Sequence, residues 1–347
     1  MSEKVKTICL TPRLEGPGVP AAVGGMVSFQ AKLADGLEKR GIGVSYDLQA
    51  PCDALLVIGG TRDLKGLRQA RKRGIPITQR LNGMNWIHRR RRTGLKHFLR
   101  SEYGNLILST IRSRLATRIV YQSEFARGWW ERVYGKTGVP YRVIYNGVDL
   151  AQYTPEGPAE LPQDRQRLLL VEGTLGGGYE LGLETAVKLA EGLQAEAGLS
   201  IELMIAGKIA PELADAWKRR TSVALNFAGL VPRSQIPTLD RSAHLLYAAD
   251  INAACPNSVI EALACGLPVL SFDTGALPEL VTGDAGRVVA YGGDPWKLDL
   301  PDMPRLAAGA VEILAGQERF RKGARQRAEE AFGLDSMVEA YLDVLLG

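Results

Sequence analysis

The feature that most constrains this chain is an alternation of short apolar runs with longer amphipathic segments, kept up along most of its length. The runs at 5–10, 44–46, 54–58, 75–78, 118–121 and 141–145 read as strands, being short, apolar and bounded by turn residues. A helix from about Met26 to Arg40 follows the first of them. Gly41 stops it just after Lys39 and Arg40, where a glycine and basic side chains suit a helix C-terminus. Strands that alternate with helices cannot pair as hairpins, so the sheet must be parallel and covered on both faces.

Between Asn146 and Gln166 the alternation lapses into a stretch with Pro155, Gly157, Pro158 and Pro162, which reads as an interdomain linker. A second series of strand candidates follows at 168–172, 201–206, 223–227, 245–248, 269–272 and 287–289. The closing helix, Ser336 to Leu346, has apolar residues spaced for one buried face. At 347 residues the chain exceeds what one core usually serves. The expected division is 1–160 for the first domain, joined by the C-terminal helix at 330–347, and 161–329 for the second. The architecture is α/β, with two facing Rossmann-like doubly wound domains and a cleft between them. Ligands of such sheets bind at the carboxyl ends of the strands.

Composition narrows the function classes. With 46% hydrophobic and 23% charged residues, the chain is of ordinary globular type. Cys9, Cys52, Cys255 and Cys265 are scattered, without a Cys-x-x-Cys pair or histidines at ligand spacing, so neither a zinc site nor a disulfide framework is expected. No apolar run reaches bilayer-spanning length and the first residues are charged, which points to a cytoplasmic protein. The net charge of +5 is concentrated around His88-Arg89-Arg90-Arg91-Arg92, followed by Lys96, His97 and Arg100. The run from Arg89 to Arg100, flanked by Trp86 and Phe98, reads either as a solvated face or as a peripheral contact with an anionic membrane. Nucleic acid is not expected, because no recognised binding module accompanies the charge.

The stretch from Pro256 to Pro268, continuing through Asp273-Thr274-Gly275-Ala276-Leu277-Pro278-Glu279, carries the chemistry. It reads as a loop, a helix opened by Ser258 and closed by Gly266 and Pro268, a strand, and a small-residue turn. Amides at the helix start and at Gly275 and Ala276 could hold an anion. Glu261 could accept two hydroxyl hydrogen bonds from a ribose. Equally, Ser258-x-x-Glu261 is a capping box, in which the glutamate satisfies only a backbone donor.

This stretch resembles the nucleotide-sugar motif of the retaining glycosyltransferases of the GT-B fold, family 4, in which two glutamates separated by seven residues precede and open the helix. The resemblance is strong over Pro256 to Val281. It extends weakly over nearly the whole chain through Gly24-Gly25, Asn146-Gly147-Val148-Asp149, Ala206-Gly207 and Phe227-Ala228-Gly229. It implies that Glu261 binds the donor ribose, that Asn257, Ser258 and Val259 meet the diphosphate or sugar, and that Gly275 and Ala276 line the sugar pocket. It implies also that Leu230 or Val231 contacts the base and that Gly24 and Gly25 let the first helix approach the phosphates. On the acceptor side, the segment from Arg80 to His88, placed after a strand, offers His88 and Asn82 as catalytic candidates. Family members need no metal or other cofactor and transfer the sugar with retention. The implied substrates are a nucleoside diphosphate sugar and a glycan or lipid-linked acceptor.

The sequence departs from that pattern at three places. Ala253 stands where the first glutamate belongs. Thr174 and Tyr179, in the segment from Gly173 to Glu180, stand where an arginine and a lysine usually reach the diphosphate. Charge-assisted hydrogen bonds contribute about 1.5 to 3 kcal/mol each, so losing two without replacement weakens binding by about two to four orders of magnitude. Main-chain amides at Gly176 and Gly177, or the side chain of Lys208, could replace them. The alternative from a different class is a non-catalytic relative that binds a nucleotide, a glycan or a partner protein.

Overall fold

The computed structural model describes residues 5–15, 24–175 and 180–347. The chain divides into two compact units, Met1–Gly147 with Leu334–Gly347, and Val148–Gly333.

In the first unit, strands β1 (Thr7–Thr11), β2 (Gly43–Ser45), β3 (Ala54–Ile58), β4 (Ile77–Leu81), β5 (Arg118–Tyr121) and β6 (Tyr141–Val143) alternate with helices α1 (Gly25–Glu38), α2 (Leu64–Lys72), α3 (Leu95–Thr110) and α4 (Glu124–Tyr134). In the second, β7 (Gln166–Thr174), β8 (Ile201–Lys208), β9 (Ala224–Gly229), β10 (Leu245–Ala248), β11 (Val269–Phe272) and β12 (Gly286–Val289) alternate with α5 (Glu180–Ala197), α6 (Pro211–Arg220), α7 (Ile236–Arg241), α8 (Asn257–Ala264) and α9 (Leu277–Leu280). Helices α10 (Met303–Ala315) and α11 (Gln317–Ala331) complete it, and α12 (Leu334–Leu346) returns to the first unit. Among the described residues the strands form two six-stranded parallel sheets, ordered β2-β1-β3-β4-β5-β6 and β12-β11-β10-β7-β8-β9. Every strand expected from the apolar runs is present.

Alternating side chains divide between the two faces of each sheet. On the first, Ile8, Leu10, Leu56 and Ile58 pack with α1 and α12, while Cys9, Leu55 and Val57 face Leu67, Ile107 and Ile111. The apolar face of α12 supplies Met337, Val338, Tyr341 and Leu345. It approaches α1 closely, since a Cβ at Gly36 would lie 2.6 Å from Val338. In the second unit Leu168, Leu170, Leu203, Ile205, Leu245 and Leu270 join Leu183, Leu193 and Leu306 in the larger core. No helix among the described residues is long and apolar enough to cross a membrane.

Two boundaries differ from the sequence reading. The proline-rich stretch is no free linker but a strap on the second unit. Arg241 donates to the carbonyls of Pro158 and Thr154, and Arg325 to those of Tyr153 and Leu150. Strand β4 runs on to Leu81, so Arg80 lies inside it rather than after it. The apolar run stops at Thr78, yet Gln79 and Arg80 are fully buried because Gln79 bonds the Gly59 carbonyl at 2.9 Å and Arg80 bonds Asn146 at 2.7 Å.

In each sheet the order in which strands are added reverses once, between β1 and β3 in the first and between β7 and β10 in the second. The crevice at the carboxyl ends of β7 and β10 is therefore the place where this topology leaves room for a ligand. Two glycines shape it. Gly207 has φ +149°, and a Cβ there would meet the Glu172 carbonyl oxygen at 2.2 Å. Gly275 has φ +62°, and its Cβ would meet the Ala253 carbonyl oxygen at 2.5 Å and amide nitrogen at 2.6 Å. Backbone strain and overpacking act together here, so Gly275→Ala should cost about 2 to 4 kcal/mol, measured by denaturant unfolding. Gly192→Ala, inside α5 with nothing within 4 Å of the added Cβ, should instead stabilise by about 0.5 to 1 kcal/mol by the same measurement.

Candidate functional site

The second unit gathers most of the expected donor residues at the carboxyl edge of its sheet. Beyond Val171, strand β7 slips in register against β8, so that Thr174 pairs with Lys208. The Leu175 amide donates to the Lys208 carbonyl at 2.8 Å. Both side chains are exposed. The slip thus sets a cation directly beside the threonine that stands where the resemblance places an arginine. Lys208 is the last residue of β8, which runs two residues past the expected 201–206. Gly176, Gly177 and Tyr179 lie outside the described residues.

Helix α8 opens at the same edge, after β10. Its N-cap is Pro256, with no side-chain capping bond, so Ser258 lies within the first turn and does not open the helix. With Pro256 at the N-cap, the residue three positions on is Val259, so Glu261 does not stand at the capping-box position. The first-turn amides of Asn257, Ser258 and Val259 lie ahead of the helix's own hydrogen-bond ladder. The helix ends as expected, with Gly266 at φ +67° and the Leu267 amide bonding the Ala262 carbonyl at 2.8 Å.

Glu261 is half-buried. Its charge adds to burial in holding Asp240 well above the usual carboxylate range and in raising the Tyr153 hydroxyl. Tyr153 in turn donates to the Arg233 carbonyl at 3.4 Å.

The loop after β11 crosses the loop after β10 at Gly275. There the Ala276 amide donates to the Ala253 carbonyl at 2.8 Å. The Ala276 amide is therefore committed to the protein, and only Gly275 remains of the two donors expected at this turn. Ala253 itself is 6% exposed, and the preceding Asn252 adopts φ +60°. Leu230, 61% exposed, follows Gly229 at the end of β9, an edge strand separated from β10 by β7 and β8.

Sequence reading missed an acidic pair in the crevice. Glu172, near the end of β7, is pushed up to about 8 by burial and then by Asp250. Asp250, just past β10, keeps a solvent side, yet the protein packed around it raises it to about 6. Asp250 also borders a pocket of about 270 Å³, its open mouth included, lined by Thr185, Tyr247, Phe272, Thr274 and Tyr291. Only the adjacency of β7 and β10 brings these carboxylates together.

In the first unit Gly24 caps α1 with φ +133°, nothing within 4 Å of where a Cβ would stand, and Gly25 is the first helical residue. Asn82 is half-buried, its side-chain oxygen accepting from Arg80 at 3.3 Å and its carbonyl from the Trp130 indole at 2.7 Å. The His88 side chain is 1% exposed. Its Nε2 donates to Glu102 Oε1 at 2.7 Å, and its ring meets Phe98 edge-on at 5.1 Å. This arrangement buttresses α3 and corrects the reading of His88 as a catalytic group, since no ring atom faces open space. Among the described residues no three His, Cys, Asp or Glu side chains gather as a metal would require.

Two pH dependences follow. Glu172 ordinarily titrates near 4.5 and stands at about 8 in the fold. A raised carboxylate contributes stability that is complete below 4.5 and lost as pH rises through 8. Thermal melts of the native chain should fall between pH 5 and 9 more steeply than those of Glu172→Gln. Glu102 is lowered to about 2, first by Arg89 and next by His88. Its contribution is present above 4.5 and lost as pH falls toward 2, so Glu102→Gln should melt below the native chain at pH 7 and converge with it in acid.

Comparison with known proteins bears on this geometry. Residues 166–299, which contain the crevice, match the family described as glycosyl transferases group 1. Over 139 residues the chain is 29% identical to a GDP-mannose-dependent alpha-(1-6)-phosphatidylinositol dimannoside mannosyltransferase of Mycobacterium tuberculosis, covering 40% of this chain and 33% of that one. Over 223 residues it is 29% identical to an alpha-maltose-1-phosphate synthase of the same species, covering 58% of this chain and 55% of that one. The matches thus span from a third to just over half the length of these relatives. Among solved structures, sucrose-phosphate synthase from Thermosynechococcus elongatus superposes with a TM-score of 0.76 at 16% identity, covering 98% of each chain. Anabaena HepE, solved with UDP and glucose, superposes at 0.65 with 14% identity, covering 98% of this chain and 99% of that one. The fold is GT-B.

Proposed function

We propose that this chain is a glycosyltransferase that takes a sugar from a nucleoside diphosphate sugar and passes it, with retention and on the cytoplasmic side, to a glycan or lipid-linked acceptor. The observation that carries the reading is the opening of α8 at the β7/β10 crevice, inside the stretch that matches group 1 glycosyl transferases. Support comes also from the relatives, one described as GDP-mannose-dependent, and from a fold neighbour solved with UDP-glucose.

In this reading the first-turn amides of α8 and the Lys208 ammonium stabilise the departing diphosphate. Glu261 accepts from the ribose hydroxyls, and Gly275 lets the sugar approach the backbone. Leu230 offers an apolar surface to the base, and Gly24 and Gly25, at the start of α1, are the first unit's candidates for close approach of a phosphate. The acceptor hydroxyl attacks on the face the diphosphate leaves, and the departing phosphate takes its proton. Asn82 is the remaining side-chain candidate of the first unit for contact with the transferred sugar.

A second reading, a non-catalytic nucleotide or glycan binder, is favoured by Ala253. Ala253 is 6% exposed, and its backbone packs against Gly275, so this position carries no carboxylate to hold sugar hydroxyls. Binding and slow hydrolysis across uridine, guanosine, adenosine and thymidine diphosphate sugars separate the two readings. The transferase reading expects at least one sugar donor to bind and turn over. Lys208→Ala and Glu261→Gln should each weaken it about tenfold or more, the loss of one charge-assisted hydrogen bond, without lowering the melting temperature. Thr174→Arg should tighten it. Binding without turnover would favour the second reading, and no binding of any donor at millimolar concentration would overturn the first.

A further inference from the structure

Helix α3 carries its apolar stripe on the wrong side for a helix whose only task is to cover a sheet. At 100° per residue, Leu95, Leu99, Tyr103 and Leu106 fall within an arc of about 80°. They are 75%, 59%, 54% and 59% exposed. The buried positions of the same helix are Ser101, Asn105 and Ile107. Inward contacts are thus made largely by polar residues, as where Asn105 donates to the Asn85 carbonyl at 2.8 Å. Single exposed leucines are ordinary, but a continuous stripe of large apolar side chains marks an interaction surface.

The charge beside the stripe says what it meets. Lys96 and Arg100 follow Leu95 and Leu99 along the helix, and Arg90 and Arg92 lie in the turns before it; all four are exposed. Arg89, which opens the basic run in the sequence, is held by Glu102 through bonds of 2.6 and 2.7 Å and is electrically spent. An outward apolar stripe with a basic border is the pattern of a helix that lies in the plane of a membrane interface. A second copy of this chain fits less well. A twofold contact through the stripe would bring Lys96 and Arg100 near their own images, and like charges repel.

We propose that α3 is a docking surface for an anionic bilayer. Leu95, Leu99, Tyr103 and Leu106 enter the boundary between headgroups and acyl chains, while Arg90, Arg92, Lys96 and Arg100 meet the lipid phosphates. The inference does not rest on the transferase reading, because lipid binding is measured without donor or acceptor.

The test is sedimentation of the full chain with vesicles of phosphatidylcholine alone and of equal parts phosphatidylcholine and phosphatidylglycerol. The native chain should sediment with the anionic vesicles and be released by salt. Lys96→Gln with Arg100→Gln should lower partitioning about thirtyfold. Leu99→Ser with Leu106→Ser should lower it comparably even in low salt. All four side chains are exposed, so unchanged melting temperatures should accompany both losses. Equal binding to both vesicle types, or binding indifferent to either pair of substitutions, would overturn the proposal. So would absence of vesicle binding together with a dimer that the two leucine substitutions dissolve, which would make the stripe a contact between copies.

Discussion

The candidate site depends on two places where backbone meets backbone without room for a side chain. At Gly207, the last residue but one of β8, the chain closes on the Glu172 carbonyl, which accompanies the slip in register that sets Lys208 beside Thr174. At Gly275 the loop after β11 presses on the loop after β10, consumes the Ala276 amide and leaves Ala253 enclosed. Neither contact involves a charge. Lys208 lies beside the first of them and Ala253 at the second.

The same packing accounts for the acidic pair. Parallel neighbours end at the same edge of a sheet, so residues at the ends of β7 and β10 become neighbours whatever their separation in sequence. Glu172 and Asp250 meet there, and the protein packed around them raises both above the usual carboxylate range. The charge of this crevice therefore changes as pH rises through the range in which the pair titrates.

Much of the fold was legible in the sequence, because a parallel sheet buried on both faces needs short apolar runs that alternate with amphipathic segments. The strands at 54–58, 118–121, 245–248 and 269–272 have the bounds their apolar runs imply. Strand β4 was cut short because Gln79 and Arg80 are polar residues whose burial is compensated by partners far along the chain. Ser258 was misplaced as a cap because a favourable capping residue outweighed the proline before it. The stripe of α3 was illegible for a different reason. Spacing at three and four residues tells which side chains share a face, but not whether that face looks inward. His88 drew attention as a lone histidine near a strand end, and only the position of Glu102 reveals that it holds α3 in place.

The central claim is that α8 and the end of β8 receive the diphosphate of a sugar nucleotide. Amide hydrogen exchange of the full chain, with and without a saturating nucleoside diphosphate sugar, tests it most directly. The account predicts slower exchange at the amides of residues 257–259 and around Lys208, with the far end of the second sheet unchanged. Protection confined to other segments while these amides exchange as before would contradict it.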